Sequence, residues 1–219
     1  MATAIIGIGN IGKAVATHLT DGGESVVLAA DNEANAQQLA KDLGRAASAA
    51  SVADAIGRAD AVIFAVWLDV IKQLVAEHGA RLVGKVVVDP SNPITVAPDR
   101  TYPRTLPDGV SSASVIDGLL PTGAHFVKAF GTIAADALAD SANRSPERAV
   151  LFYATDDDVA GATAERLIST AGFDPIKAGG LDQAIRIEMF GDLHQFGGLD
   201  GKLITVAEAQ ALLSERAGV

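Results

Sequence analysis

The chain has 219 residues, 49% of them hydrophobic, with a formal net charge of -10 and no cysteine. Such a chain buries a real core and fits one large domain, or one domain with a small appendage. The acidic balance, without a cluster of Lys and Arg, argues against a broad nucleic-acid surface, and the missing cysteines exclude disulfides, thiol catalysis and cysteine-ligated metals.

Residues 3 to 8, TAIIGI, are a short apolar run opening into glycines, the look of a fully buried parallel strand. Ile11, Val15 and Leu19 then recur on one helical face, and Gly22 and Gly23 stop the helix. SVVLAA (25–30) is a second strand and NEANAQQLAKDLG (32–44) a second helix. A buried strand over 60–67, a crossover helix over 68–79 and a strand over 85–89 follow. Strands alternating with helices of this length predict right-handed βαβ units, hence a Rossmann-type doubly wound parallel sheet of the α/β class.

After Asp89 come Pro90, Pro93, Pro98, Pro103 and Pro107, which predict an irregular loop leaving the carboxyl end of a strand, where ligands bind in such sheets. Strands are expected over 124–131 and 149–155, with a helix ending in a polar linker between them. That linker suggests two domains, 1–142 for dinucleotide binding and 143–219 as a small C-terminal α+β or helical portion completing the cleft. Within the latter, 156–172 reads as a helix with three carboxylates in its first turn, 173–178 as a strand, 181–196 as a helix, and TVAEAQALLSE as a last helix with a Thr205/Glu208 capping box. No apolar run reaches the ~18 residues of a membrane span, so the expectation is a cytoplasmic protein without a membrane or nucleic-acid partner.

The glycine run Gly7-Ile8-Gly9-Asn10-Ile11-Gly12 follows a predicted strand and opens a helix, the context in which G-x-G-x-x-G binds a dinucleotide. Asp31 lies nineteen residues after Gly12, matching the ~20-residue offset of an acidic residue that reads the adenosine ribose. Its other reading is a helix cap, and the two are compatible if Asn32 does the capping. Lys128, alone among apolar neighbours, either snorkels or points into the cofactor cleft, and the cost of burying it unpaired favours the cleft. His18, His78 and His125 lack metal-ligand spacing, and no metal site is expected. His194, flanked by glycines in GDLHQFGG, is the one weak candidate for moving a proton, against its reading as a surface-helix residue. No G-x-S-x-G elbow supports hydrolysis.

With the glycine loop, AVIFAVWLDVI, DPSNP and VKAFGT in place, the chain resembles the coenzyme F420-dependent NADP oxidoreductases from Ala4 to about Ala139. The resemblance implies hydride transfer between a nicotinamide dinucleotide and a deazaflavin-like acceptor, with coenzyme F420 as co-substrate. It implies a pocket formed by Ala65, Val66 and Trp67, by Asn92 and Pro93, and by Lys128, Ala129 and Phe130. Gly131 stands where an asparagine is common. The NADP-using members carry a Ser-Arg-Arg-like triplet at the end of the second strand, whereas this chain has Ala30, Asp31 and Asn32, so NAD(H) is favoured over NADP(H). A small-molecule redox substrate and a homodimer are the expected partners. The alternatives are a non-catalytic NAD(P)-binding sensor, or a short NAD(P)-dependent imine or β-hydroxyacid reductase.

Overall fold

In the computed structural model, which describes residues 2–216, the first apolar run forms β1 (Ala2–Ile6), ended by Gly7 at φ +96°. Then come α1 (Asn10–Asp21), β2 (Ser25–Ala29) and α2 (Glu33–Leu43), which Asn32 caps by accepting the Asn35 N–H. The stretch 45–59, to which the sequence assigns no element, holds a short edge strand β3 (Ala47–Ala49) and α3 (Val52–Arg58), capped by Ser51. β4 (Ala61–Phe64), α4 (Leu68–His78) and β5 (Val86–Asp89) fall within the predicted segments. A short helix α5 (Ser112–Asp117) follows the proline-rich loop, and β6 (His125–Lys128) and α6 (Ala135–Asp140) complete the first six-strand run.

The remaining elements are β7 (Val150–Ala154), α7 (Asp158–Thr170), β8 (Asp174–Gly179), α8 (Ala184–Ile187) and α9 (Val206–Arg216). All eight strands form one sheet in the order β3-β2-β1-β4-β5-β6-β7-β8. The first six run parallel; β7 pairs antiparallel with β6, and β8 runs parallel to β7. This is the expected α/β doubly wound architecture, and its sheet continues across the 142/143 point at which the sequence suggests a division.

Alternation along the strands sends side chains to two buried layers. Ile5, Leu28, Ile63 and Val88 pack under α1, α2 and α7, while Ala4, Ile6, Val62 and Val87 pack under α3, α4 and α5. Each of the Ile, Leu and Val side chains among them contributes roughly 1.5–3 kcal/mol of burial. The Thr205/Glu208 capping box is present, with Glu208 accepting the Thr205 N–H at 2.7 Å.

One predicted helix is corrected. Residues 181–196 form a single 3-10 turn (181–183) and the short α8, then leave helical geometry at Glu188, whose ψ is 162°. Its carboxylate instead accepts the backbone N–H of Ser112 at 2.6 Å and the Ser112 hydroxyl at 2.7 Å, in full burial. Beyond it the chain folds into tight turns. A Cβ on Gly197 would lie 1.9 Å from the Gly191 carbonyl oxygen, so the chain closes on itself only through glycine. A local helical pattern yields here to a long-range hydrogen bond. No described helix is long and apolar enough to cross a membrane.

Candidate functional site

The sheet order reverses between β1 and β4, so the crevice at their carboxyl ends is where a doubly wound sheet binds its ligand. A cavity of about 610 Å³ opens there. One wall is made by Gly9, Asn10 and Ile11 after β1 and by Ala65, Val66 and Trp67 after β4. Pro90, Ser91, Asn92 and Gly131, which follow β5 and β6, form the floor. Ile94, Val96 and Tyr102 from the proline-rich loop, with Met189, His194 and Phe196, form the opposite wall.

The glycine loop has the geometry that a pyrophosphate needs. A Cβ on Gly7 would meet the Ala65 carbonyl oxygen at 2.4 Å, and one on Gly12 the Gly7 carbonyl oxygen at 2.0 Å, so these two glycines serve close packing of the turn. A Cβ on Gly9 would meet nothing within 4 Å. That open face, beside the first N–H groups of the twelve-residue α1, is where bare backbone can approach an anion. The residues present therefore fit a dinucleotide.

Asp31 and Asn32 lie outside the cavity walls, at the carboxyl end of β2, which pairs with the end of β1 through Ile6 and Ala29. Asn32 takes the capping role, and Asp31 is an exposed side chain whose Oδ1 accepts the Asn32 N–H at 2.8 Å.

Four of the residues that the resemblance suggests lie beneath the cleft and not in its walls. Lys128 does not point into the cleft. It is 1% exposed and donates to Asp89 Oδ2 and to Ser112 Oγ, each at 2.7 Å, and to the Ser91 carbonyl. The cost of burying its charge is met by pairing, which leaves nothing for a ligand. Glu188 lies 3.8 Å from the same ammonium and 3.6 Å from Arg104. Two carboxylates and two cations thus form one buried network tying β5, β6, α5 and the proline-rich loop together. Ala129 and Phe130 are core residues, the latter at φ +66°, and Pro93 is buried, its carbonyl accepting the Thr105 N–H at 2.8 Å.

Asn92 does line the cavity, as a tether. Its Nδ2 donates to the Gly131 carbonyl at 3.1 Å and its Oδ1 accepts the Met189 N–H at 2.6 Å, fixing the opposite wall to the floor. Gln195 does the same nearby, accepting the Ala134 N–H at 2.7 Å and donating to the Gly201 carbonyl at 3.0 Å. At Gly131 a Cβ would lie 2.5 Å from the Pro90 carbonyl oxygen, so an asparagine has no room without moving the floor.

His194 is neither helical nor on the surface. It is 2% exposed in a turn of the cavity wall, and its Nδ1 accepts the Phe196 N–H at 3.0 Å. Burial pushes its pKa down to about 4, the Lys128 charge adding to the fall against the pull of the Gly131 backbone. The ring is neutral at neutral pH, so it holds the wall's shape and offers no charged acid. Tyr102, Met189, Phe196 and Gln195 escape the sequence reading, because they reach the site through long-range folding from segments without periodicity.

The family model described as NADP oxidoreductase, coenzyme F420-dependent, matches residues 2–93. A solved structure from Arthrobacter sp., described as a candidate F420-dependent NADP-reductase, has the same fold, at TM-score 0.71 and 24% identity over 83% of this chain and 86% of that one. Residues 2–93 thus carry the pattern of the F420-dependent NADP oxidoreductase family. With that match the chain is an NAD(P)-dependent oxidoreductase. A hypothetical protein of Sinorhizobium meliloti is 32% identical, at TM-score 0.79 over 89% of this chain and 93% of that one. A reductive aminase of Aspergillus terreus, in complex with NADPH and ethyl levulinate, shares the fold at 20% identity and TM-score 0.61, and this chain covers 56% of its length.

Proposed function

We propose that this oxidoreductase transfers hydride between NAD(H), in preference to NADP(H), and a flat small acceptor, a deazaflavin or another ring of that shape. The observation that carries the reading is the single cavity running from the bare backbone of Gly9 to an apolar wall made by Ile94, Val96, Tyr102, Met189 and Phe196. Bound in that cavity, the dinucleotide would supply a hydride. The chain's own part is to hold the pyrophosphate on the glycine loop, to keep the acceptor at the near-attack distance of ~3 to 3.5 Å, and to exclude water. A hydride transfer asks for little acid-base machinery, which suits a wall whose histidine is neutral.

The preference for NAD(H) rests on charge. Asp31 is exposed at the β2 end and its neighbours Ala30 and Asn32 are uncharged, so a 2′-phosphate would meet a carboxylate where a cation is needed. The family description names NADP, which makes this position the decisive one. Mixing the protein and NADH with oxidised deazaflavin coenzyme should bleach the visible absorbance of the coenzyme. The absence of bleaching with NADH and with NADPH alike would remove the deazaflavin from the reading.

A further inference from the structure

The proline-rich wall of the cleft is a hairpin bonded to itself. The Thr95 N–H donates to the Pro103 carbonyl at 3.0 Å, the Ala97 N–H to the Thr101 carbonyl at 3.0 Å and the Thr105 N–H to the Pro93 carbonyl at 2.8 Å, around an antiparallel bridge between Ile94 and Arg104. In that register Val96 stands opposite Tyr102, and strand alternation puts Ile94, Val96, Tyr102 and Arg104 on one face. Ile94, Val96 and Tyr102 line the cavity, yet Val96 is 52% exposed and Tyr102 44%. An apolar face left this open gains burial when a ligand fills the space in front of it. The base of the arm is fixed, since Pro93 is buried and Leu106 packs against the core. Among the described residues, the backbone hydrogen bonds of 95–104 all close within the hairpin.

A second observation lies at the arm's base. Glu188 is fully buried and its Oε1 accepts the Ser112 N–H and hydroxyl, but its Oε2 has no hydrogen-bond partner among the described residues. Arg104 Nη2, which donates to the Val110 carbonyl, lies 3.6 Å from that oxygen. A charge-assisted bond forms at ~2.7–2.9 Å, so a shift of under ~1 Å completes it. Glu188 adjoins Met189 of the opposite wall, and the same shift draws Val96 and Tyr102 toward that wall. The unsatisfied carboxylate oxygen favours the shift, whereas closing over an empty cavity leaves a void behind the apolar face. A ligand in the cavity removes that cost and tips the balance.

We propose that residues 93–105 are a flap that closes over the flat acceptor, with Val96 and Tyr102 as the covering surface and Arg104 as the latch on Glu188. Arg104 touches neither ligand; it is a positioning residue that acts through the hairpin. The proposal rests on the hydride-transfer reading above and supplies the closure that shuts water out of it. The glycine loop lies across the cavity from the flap, so the dinucleotide alone leaves the flap open and the acceptor closes it.

The test is limited digestion with trypsin, because Arg100 is exposed on the turn of the hairpin and cleavage of its bond to Thr101 reports the flap. NAD⁺ with oxidised deazaflavin coenzyme is a pair that cannot react, and binding of the coenzyme is followed by its visible absorbance. Cleavage at this bond, resolved by mass and measured against the other cleaved bonds, should be unchanged by NAD⁺ alone and slow about fivefold or more when the coenzyme joins it. Arg104→Gln should keep the fast cleavage with both ligands present, raise the KM for the coenzyme about tenfold and leave that for NADH within about twofold. Arg104→Lys, which keeps the charge, should restore part of the protection, and Tyr102→Ala, which spares the latch, should raise the coenzyme KM by a similar factor; thermal unfolding verifies that each variant is folded. Undiminished cleavage with the coenzyme bound, protection by NAD⁺ alone, or full protection in Arg104→Gln would overturn the proposal while leaving hydride transfer intact. Failure of the parent to bind the coenzyme would remove both.

Discussion

His194 shows how burial sets a residue's chemistry at this site. Its folded pKa of about 4 lies below the ordinary histidine value of 6.5, so the unfolded chain binds the extra proton first as the pH falls. The stability from keeping this ring neutral is complete above about pH 6.5 and is lost between there and about pH 4, an effect of about 3 kcal/mol. Thermal unfolding followed from pH 7 to pH 4.5 should show a steep loss in the parent and a shallower one in His194→Gln. Parallel curves would remove the histidine from the account. The residue itself stands out in the sequence through its flanking glycines, but its burial does not, because that depends on the turn closed by Gly191 and Gly197. Lys128 is the converse case. Its place among apolar neighbours flags a special role, and the partners that decide the role, Asp89, Ser112 and Glu188, come from distant segments, Ser112 and Glu188 lying 76 residues apart.

At the scale of elements, the glycine loop separates packing from ligand approach within one motif. Gly12→Ala puts a Cβ 2.0 Å from the Gly7 carbonyl oxygen and should lower both the melting temperature and dinucleotide binding. Gly9→Ala meets open space, so it should fold with stability within about 0.5 kcal/mol of the parent. Its methyl group would stand where the pyrophosphate approaches, weakening NADH binding on the order of tenfold or more. Equal NADH affinity in Gly9→Ala and the parent would mean that the phosphates lie elsewhere. The βαβ elements are legible in the sequence because short apolar runs alternate with helical periodicity, β1 and β5 ending directly in Gly7 and Pro90. The segment 181–196 is not, because its apolar spacing is helical while Glu188 is captured by the first turn of α5.

At the scale of the whole molecule, the half of the cavity proposed for the dinucleotide is local and the half proposed for the acceptor is assembled. Gly9, Asn10, Ile11, Ala65 and Trp67 come directly after β1 and β4, so motif and strand order together locate them. Tyr102, Met189 and Phe196 come from a proline-rich loop and a run of turns, held against the floor by Asn92 and Gln195. The sheet joins these halves, since β7 and β8 extend it past β6 and carry the chain back to the cleft. Trp67 is the one tryptophan in the chain and lines the cavity, so its emission would report occupancy of the proposed site.

The most direct measurement is therefore a titration with NADH and then NADPH, read by quenching of Trp67 and by energy transfer to the dihydronicotinamide ring. Saturable quenching with sensitised emission is expected for both, NADH binding about tenfold more tightly, and Asp31→Ala should narrow that gap. Tighter binding of NADPH by the parent, or binding of either nucleotide without any change in Trp67 emission, would contradict the site described for this cleft.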